Sequence, residues 1–225
     1  MIENRFKVSV LICALNEEKN LPFLLPGLPS LVDEVILVDG HSTDNTVDIA
    51  KELRPDILVF YQPGKGKDIA MQYGFSKATG DIIVTMDADG STDPSELPRL
   101  LKPLINGFHF SKGSRLASRR PEGMMPHRWL GNKLLAFLTN LLYGTNFTDV
   151  CCGYNAFWRK AFAAIDFSTG AFNYEPVIIV KAKKAGLNIA EVSCHDKGRI
   201  TGTTKLPGLS QGLKAIKAIL KERII

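Results

Sequence analysis

The chain has 225 residues, of which 45% are hydrophobic and 23% are charged. This composition excludes a disordered or fibrous protein and is typical of one globular domain. The four cysteines show neither zinc-ligand spacing nor a C-x-x-C pair, so we expect reduced thiols rather than a disulfide framework. We find no secretory signal and no apolar run of the ~20 residues that a membrane span requires, and we therefore expect a cytoplasmic protein.

The net charge of +5 is unevenly distributed along the chain. Residues 181–225 contain ten Lys and Arg and three Asp and Glu, a net charge of +7, which leaves the first 180 residues at −2. We expect the basic segment 197–225 to face a phosphate-bearing acceptor or the cytoplasmic face of a membrane. Nucleic acid is not an expected partner, because no aromatic residues interleave with the basic ones in this part of the chain.

In the first half of the chain, strand-like apolar runs alternate with helical patterns. The predicted strands cover residues 8–15, 34–38, 57–61 and 82–86. The predicted helices between them cover residues 17–25, 43–53 and 67–77, with Ser42 as the N-cap of the second helix. This alternation predicts an α/β fold with a mostly parallel central sheet and helices on both faces.

The pattern is less regular in the second half. We expect helices at 94–105, 129–143, 173–185 and 208–223, strands at 109–113 and 188–192, and a basic loop at 114–126. We expect the apolar stripe of the second of these helices to pack in the core; it consists of Leu130, Leu134, Phe137, Leu138 and Leu141. The last helix carries an apolar stripe flanked by lysines, which is compatible with docking on the core or on an anionic membrane.

Polar residues follow each of the first four predicted strands. These sets lie at 16–18, 39–44, 64–67 and 87–89. One such set alone could be a helix cap or a turn. Because the carboxyl ends of parallel strands meet at one edge of a sheet, four sets together favour a ligand site there.

The strongest single signal is MDADGSTDP, directly after the fourth strand. Its carboxylates, Asp87 and Asp89, suit Mg²⁺ or Mn²⁺ with open positions for phosphate oxygens. A diphosphate leaving group requires such a cation, because charge builds on its bridging oxygen as the bond breaks. The chain has neither a P-loop nor the G-x-G-x-x-G dinucleotide fingerprint.

The order of several motifs resembles a known family. The chain carries ALNEEKN, VDGHSTDNT, GKGKDIAMQYGFSKATGDIIVTMDADGSTDP and KGSR in the order seen in family 2 inverting nucleotide-sugar glycosyltransferases of GT-A fold. FTDVCCGYNAFWRKAF and a late R-x-x-G-x-T-K stretch resemble the branch that includes dolichyl-phosphate and polyprenyl-phosphate glycosyltransferases. The resemblance implies a single GT-A (Rossmann-like) domain over residues 1–225 and a metal-dependent inverting hexosyltransferase.

The resemblance also implies roles for individual residues. It assigns nucleotide-sugar binding to Leu15, Glu17, Asp39, Lys67, Asp87, Ala88 and Arg115. It assigns metal binding to Asp87, Asp89 and Ser91, and Asp89 is thereby a catalytic residue. It assigns phosphate contacts on donor or acceptor to Arg199 and Lys205. Leu15 stands in the place of a family Tyr. Two departures leave the donor open between GDP- and UDP-linked sugars: Gly40 in place of a second Asp, and Cys13 in place of a Pro.

The acceptor determines whether a catalytic base is needed. A sugar hydroxyl must lose a proton, and Asp149 and Glu175 are the candidate bases for that case. A phosphate monoester is mostly dianionic at neutral pH and attacks without a base, but it needs cations to receive it. The basic late segment therefore favours a polyprenyl or dolichyl phosphate acceptor, met at a membrane surface or with a membrane-protein partner. Transfer to a sugar hydroxyl of a glycan or glycolipid and a catalytically silent nucleotide-sugar-binding module remain the alternatives.

Overall fold

The fold is described from a computed structural model, which places residues 6–117, 124–165, 174–202 and 208–224. The described strands form one sheet in the order β3-β2-β1-β4-β6-β5-β7. Their bounds are β1 (Val8–Ala14), β2 (Glu34–Asp39), β3 (Leu58–Tyr61), β4 (Ile82–Asp87), β5 (Phe110–Ser114), β6 (Asn155–Trp158) and β7 (Ile189–Ser193). Consecutive apolar residues in β1, β2 and β4 are buried, as expected for strands covered on both faces.

All described strands except β6 run in the same direction, which confirms the predicted mostly parallel sheet. The short strand β6 was not predicted. It lies antiparallel between β4 and β5, with Phe157 opposite both Ile83 and Phe110. Four residues give too short an alternation to identify a strand from the sequence, and here two neighbouring strands supply the pairing.

Helices cover both faces of the sheet, as predicted. The described α-helices are α1 (Leu21–Leu24), α2 (Thr46–Leu53), α3 (Lys67–Lys77), α4 (Leu97–Ile105), α5 (Pro126–Tyr143), α6 (Arg159–Phe162), α7 (Tyr174–Lys184) and α8 (Gly208–Ile224). Residues of α1, α2 and α4 join the apolar cluster on one face, and residues of α3, α5, α7 and α8 join the cluster on the other. Alternate residues of β1 serve the two clusters, since Val10 and Ile12 point to the first and Leu11 to the second.

Two predicted helix starts were wrong. Ser42 is not an N-cap, because its hydroxyl donates to Asp39 and the helix begins at Thr46, whose N–H donates to the Asp44 carboxylate at 3.0 Å. The helix predicted at residues 17–25 is limited to α1 and a following 3₁₀ turn, Leu25–Gly27. The backbone N–H of Glu17 is instead held by the side chain of Thr46.

The apolar stripe of α5 does not pack in the core. Leu130, Leu134, Phe137 and Leu141 are exposed, and α5 instead buries Leu135, Ala136 and Thr139 on its opposite side. The helix is apolar on two sides, so periodicity alone identified the wrong one as the buried face. No helix among the described residues is long and apolar enough to cross a membrane. The four cysteines are free in this structure.

Candidate active site

The candidate site lies at the carboxyl edge of the sheet, where β1 stands between β2 and β4. The register pairs Ala14 with Asp39 and Cys13 with Asp87, so carboxylates from the two neighbouring strands flank the end of β1. After β1 the chain continues to β2 on one side of β1, whereas β4 lies on the opposite side of β1. A crevice forms at such a point in open α/β sheets, and ligands bind there.

The loops after β1 and β2 brace each other on the first side of this crevice. Asp39 is buried and accepts hydrogen bonds from the backbone N–H of Ser42 at 2.9 Å and from its hydroxyl at 2.5 Å. Asn16, held at a positive φ of 55°, receives the N–H of Thr43 on its side-chain oxygen at 2.7 Å. Leu15 is exposed beside this pair of loops. Leu15 and Asp39, both predicted to bind the nucleotide sugar, therefore lie at the start of two loops that are hydrogen-bonded to each other.

Lys67 joins two of the predicted site carboxylates. Its Nζ lies 2.6 Å from Asp87 Oδ1 and 2.6 Å from Glu175 Oε1. Burial disfavours the charge on Lys67, but the two carboxylates outweigh this and hold its pKa well above the usual value. Burial likewise opposes ionisation of Asp87, and the charge of Lys67 overcomes it, so the pKa of Asp87 is lowered. Asp87 is thus an ionised carboxylate at neutral pH.

Close packing fixes the position of the Asp87 carboxylate. A Cβ at Gly153 would lie 2.3 Å from Asp87 Oδ2, so only glycine leaves room for this carboxylate. The side chain of Ala88 is buried, which limits its predicted role in nucleotide binding to backbone contacts. Gly153 was not among the predicted site residues, although it lies within the FTDVCCGYNAFWRKAF motif.

Asp89 and Ser91 form the other half of the predicted metal site. Asp89 Oδ1 accepts from the Ser91 hydroxyl at 2.6 Å and from its backbone N–H at 3.1 Å, while Oδ2 faces Arg199 Nη1 at 3.8 Å. Asp87 and Asp89 are each partly exposed and offer oxygen ligands, which suit a hard divalent cation. In the part of the chain that the structure describes, no group of three or more His, Cys, Asp or Glu converges. A metal held by Asp87 and Asp89 would have to take its remaining ligands from substrate and water.

The late segment 196–202 packs against the loop that follows Asp89. The backbone N–H of Lys197 donates to the Ser91 carbonyl at 3.0 Å, and that of Ile200 donates to the Asp89 carbonyl at 3.2 Å. Arg199 Nη2 donates to both carboxylate oxygens of Glu17, at 2.8 and 2.6 Å. The predicted phosphate-contacting Arg199 thus joins the predicted nucleotide and metal residues. Lys205 lies outside the described residues.

Asn20 and Thr201, which were not among the predicted site residues, hold this late segment in place through hydrogen bonds. Asn20 Oδ1 accepts from the backbone N–H of Thr201 at 2.9 Å and from its hydroxyl at 2.8 Å. Asn20 also donates to Glu17 Oε2 at 2.6 Å. The only hint in the sequence was the position of Asn20 in ALNEEKN, because its partner lies far away in the chain.

The partly exposed Arg115 forms an ion pair with the fully buried Asp149. Arg115 Nε lies 2.7 Å from Asp149 Oδ2, and Nη2 lies 3.1 Å from Oδ1. Burial opposes ionisation of Asp149, but Arg115 and Lys112 hold its pKa well below the usual range. A carboxylate that is fully buried and tightly ion-paired is a weak proton acceptor. The geometry therefore favours a positioning role for Asp149 over the predicted role of a base.

A small cleft connects this pair to the D-x-D motif. It is lined by Asp87, Ser91, Arg115, Tyr154, Cys194 and Asp196 among others. Asp196 Oδ2 lies 3.7 Å from Arg115 Nη1, and its pKa is raised, chiefly by burial. The Arg115 guanidinium and the Asp87 carboxylate thus line the same cleft, and a guanidinium there could bind phosphate oxygens.

The sheet is mostly parallel, and the two strands beside β1 each end in an aspartate, which is typical of open α/β proteins that bind a ligand at this edge. The model of the family "Glycosyl transferase family 2" matches residues 9–166, and the chain belongs to this family. This confirms the resemblance seen in the motifs.

Curated relatives match most of the chain. The low-salt glycan biosynthesis hexosyltransferase Agl6 of Haloferax volcanii is 30% identical over 223 residues, which cover 95% of this chain and 53% of that protein. The UDP-N-acetylglucosamine–dolichyl-phosphate N-acetylglucosaminyltransferase of Methanococcus voltae is 32% identical over 209 residues, covering 82% of this chain and 83% of the relative. The chain spans about half the length of some relatives it matches, including Agl6 and the glycosyltransferase AglJ of the same organism.

Solved structures show the same fold. Glucosyl-3-phosphoglycerate synthase from Mycobacterium tuberculosis, in complex with Mn²⁺, UDP and phosphoglyceric acid, superposes with a TM-score of 0.79 over 98% of this chain and 79% of that chain. Its sequence is 21% identical. The predicted GT-A type of α/β fold is confirmed.

Proposed function

We propose that the chain transfers a sugar from a GDP- or UDP-linked donor, with inversion, to a polyprenyl or dolichyl phosphate. Two relatives support this acceptor by name: the dolichyl-phosphate N-acetylglucosaminyltransferase and the undecaprenyl-phosphate 4-deoxy-4-formamido-L-arabinose transferase of Pectobacterium carotovorum. The latter is 30% identical over 219 residues, covering 91% of this chain and 64% of the relative. The observation that carries the proposal is that each carboxylate of the D-x-D motif has an arginine nearby: Asp87 and Arg115 line the same cleft, and Arg199 Nη1 lies 3.8 Å from Asp89 Oδ2.

The donor would lie across the ends of the first four strands. The braced loops that carry Leu15, Glu17 and Asp39 would hold the nucleoside, and Lys67 would orient Asp87 beneath the diphosphate. A bound Mg²⁺ or Mn²⁺, held by Asp87 and Asp89, would neutralise charge on the leaving diphosphate. Because the Lys67 charge keeps Asp87 ionised, this ligand would be ready to bind at neutral pH.

The acceptor phosphate would enter from the opposite side of the cleft. A phosphate dianion needs no base, so the protein's task is to receive its charge and aim one oxygen at the anomeric carbon in line with the leaving group. Arg115, fixed by Asp149, and Arg199, at the edge of the D-x-D motif, supply cations there. Lys205 is a further predicted cation of this group.

The test of the proposal is transfer by an Asp89→Asn variant. With a UDP- or GDP-sugar, manganese and a prenyl phosphate, the wild type should form the glycosyl phospholipid, and Asp89→Asn should lose at least about 100-fold in kcat. Asp48→Asn is the matched control, because Asp48 is an exposed carboxylate on α2. Near-wild-type turnover by Asp89→Asn would overturn the metal assignment. Nucleotide-dependent thermal stabilisation without turnover on any acceptor would favour the silent binding module.

Transfer to a sugar hydroxyl is the second candidate function. The observation that favours it is the position of Glu175, a candidate base, beside Lys67. The Glu175 carboxylate lies 2.6 Å from Lys67 Nζ, which also lies 2.6 Å from Asp87. The side chain of Glu175 is 20% exposed, whereas Asp149 is fully buried. If Glu175 is a base, Glu175→Gln should abolish turnover and remove the acidic limb of the pH profile of kcat/KM. If the acceptor is a phosphate, this limb should persist in the variant.

A further inference from the structure

Helix α5 carries a continuous apolar stripe that faces outward. Leu130, Leu134, Phe137 and Leu141 follow one another at spacings of four, three and four residues, and 49–68% of each is exposed. Isolated exposed apolar residues are common on protein surfaces, but a contiguous row marks a surface that meets another apolar phase. The opposite side of α5 already packs in the core, so the stripe is not needed for folding.

Helix α8 packs beside α5 and has an exposed apolar side of its own. The Tyr143 hydroxyl donates to the Ile219 carbonyl at 2.6 Å, which ties the end of α5 to the middle of α8. The outer side of α8 exposes Leu213 and Leu220, at 55% and 45%. The same side also exposes three cationic residues, Lys214, Lys217 and Lys221.

The charge of the two helices is of one sign. Helix α5 contains no Asp or Glu. The single acidic residue of α8, Glu222, is buried and lies 3.6 Å from Lys181. The surface formed by α5 and α8 therefore presents leucines, a phenylalanine and lysines without an exposed carboxylate.

We propose that the surface of α5 and α8 docks the protein onto an anionic lipid bilayer. An apolar row with adjacent lysines complements the acyl chains and negative head groups of such a bilayer. A second copy of the same surface would bring lysines against lysines, which disfavours a face-to-face dimer. This docking rests on the proposed function, because a lipid phosphate acceptor would be reached at a membrane. The exposed residues and the charges are observed independently of that function.

The position of α5 in the chain would bring the docked bilayer close to the site. The helix lies between Arg115 and Asp149 in sequence. Its residue Asn140 receives the N–H of Phe147 at 2.9 Å and donates to the Phe147 carbonyl at 2.9 Å. The segment that leads to Asp149 is therefore fastened to α5, so a docked helix would hold the Arg115–Asp149 pair at a set distance from the lipid head groups.

Vesicle binding tests this proposal without any substrate. The wild type should sediment with vesicles of equal parts phosphatidylglycerol and phosphatidylcholine, and the double variant Leu134→Gln, Phe137→Gln should bind at least about tenfold more weakly. The double variant Lys217→Gln, Lys221→Gln should bind the anionic vesicles more weakly, and its binding should depend less on salt concentration than that of the wild type. The matched control is Phe23→Gln with Ile105→Gln, which replaces two similarly exposed apolar residues outside the docking surface.

Three results would overturn the proposal. The first is that the wild type does not bind the vesicles, and the second is that the Phe23→Gln, Ile105→Gln control loses as much binding as the Leu134→Gln, Phe137→Gln variant. The third is that the latter variant changes from dimer to monomer while its vesicle binding is unchanged. Turnover on a short, water-soluble prenyl phosphate separates this question from the proposed function. Stripe variants should keep wild-type turnover on that acceptor, whereas vesicle binding with no turnover in any variant would reject the function and leave the docking surface standing.

Discussion

Arg199 Nη2 donates to both carboxylate oxygens of Glu17, a residue 182 positions away in the chain. Arg199 Nη1 also lies 3.8 Å from Asp89 Oδ2, and its Nε donates to the Thr201 carbonyl at 2.7 Å. One guanidinium thus links the end of the first strand, the D-x-D motif and the late basic segment. A ligand phosphate in this region would meet a cation whose position is already fixed.

We predict that Arg199→Lys lowers kcat/KM by at least about tenfold, because the ammonium group of lysine cannot reproduce this fork of contacts. Steady-state kinetics with donor and prenyl phosphate varied in turn would measure the effect. Arg54→Lys is the control, since Arg54 makes an ion pair with the exposed Asp56. Equal losses in the two variants would mean that the change acts on folding rather than on the site.

Gly153→Ala should impair catalysis while leaving the protein folded. The new Cβ would lie 2.3 Å from Asp87 Oδ2, so the carboxylate would have to move. A misplacement of about 1 Å in a positioned group can cost about 100-fold in rate. Gly131→Ala is the control, because nothing lies within 4 Å of a Cβ at this position of α5. Unchanged kcat/KM in Gly153→Ala would show that the position of Asp87 is not critical.

Asp149→Asn should destabilise the fold by about 3 kcal/mol, because it leaves the Arg115 guanidinium without its buried partner. Urea unfolding at neutral pH measures this. Asp56→Asn, which removes the partner of Arg54 at an exposed site, should cost less than about 1 kcal/mol. Similar costs for the two variants would contradict a stabilising contribution of the Arg115–Asp149 pair.

Glu34 should make stability depend on pH in the acidic range. Burial opposes its ionisation, but hydrogen bonds from Ser9 and Thr79 and the charge of Lys7 lower its pKa. A lowered pKa stabilises the fold at every pH above the unfolded value of about 4.3, and this contribution disappears as the pH falls through the folded value.

Glu34→Gln should therefore lose about 1–3 kcal/mol at pH 7 and approach the wild type as the pH falls below about 4. Unfolding curves at a series of pH values would measure the difference. Glu52→Gln, at an exposed position of α2, is the control and should match the wild type throughout. A difference between Glu34→Gln and wild type that did not change with pH would mean that the lost contacts, and not the charge, stabilise the fold.

Local sequence signals determined the α/β class and the order of the strands and helices that build the first half of the sheet. Apolar runs and turn residues act over a few positions, so the polar sets at the strand ends could be recognised from the sequence. Because parallel strands share one carboxyl edge, the approximate place of Asp39, Asp87 and Asp89 followed as well.

Contacts between distant segments decided the rest. Strand β6 exists because β4 and β5 pair with it, Gly153 is required because Asp87 packs against it, and Arg199 reaches the site because the late segment folds back onto Asp89. The same holds for α5, whose sequence offers two apolar sides. Only the packing of α7 and α8 decided which side is buried and which remains exposed.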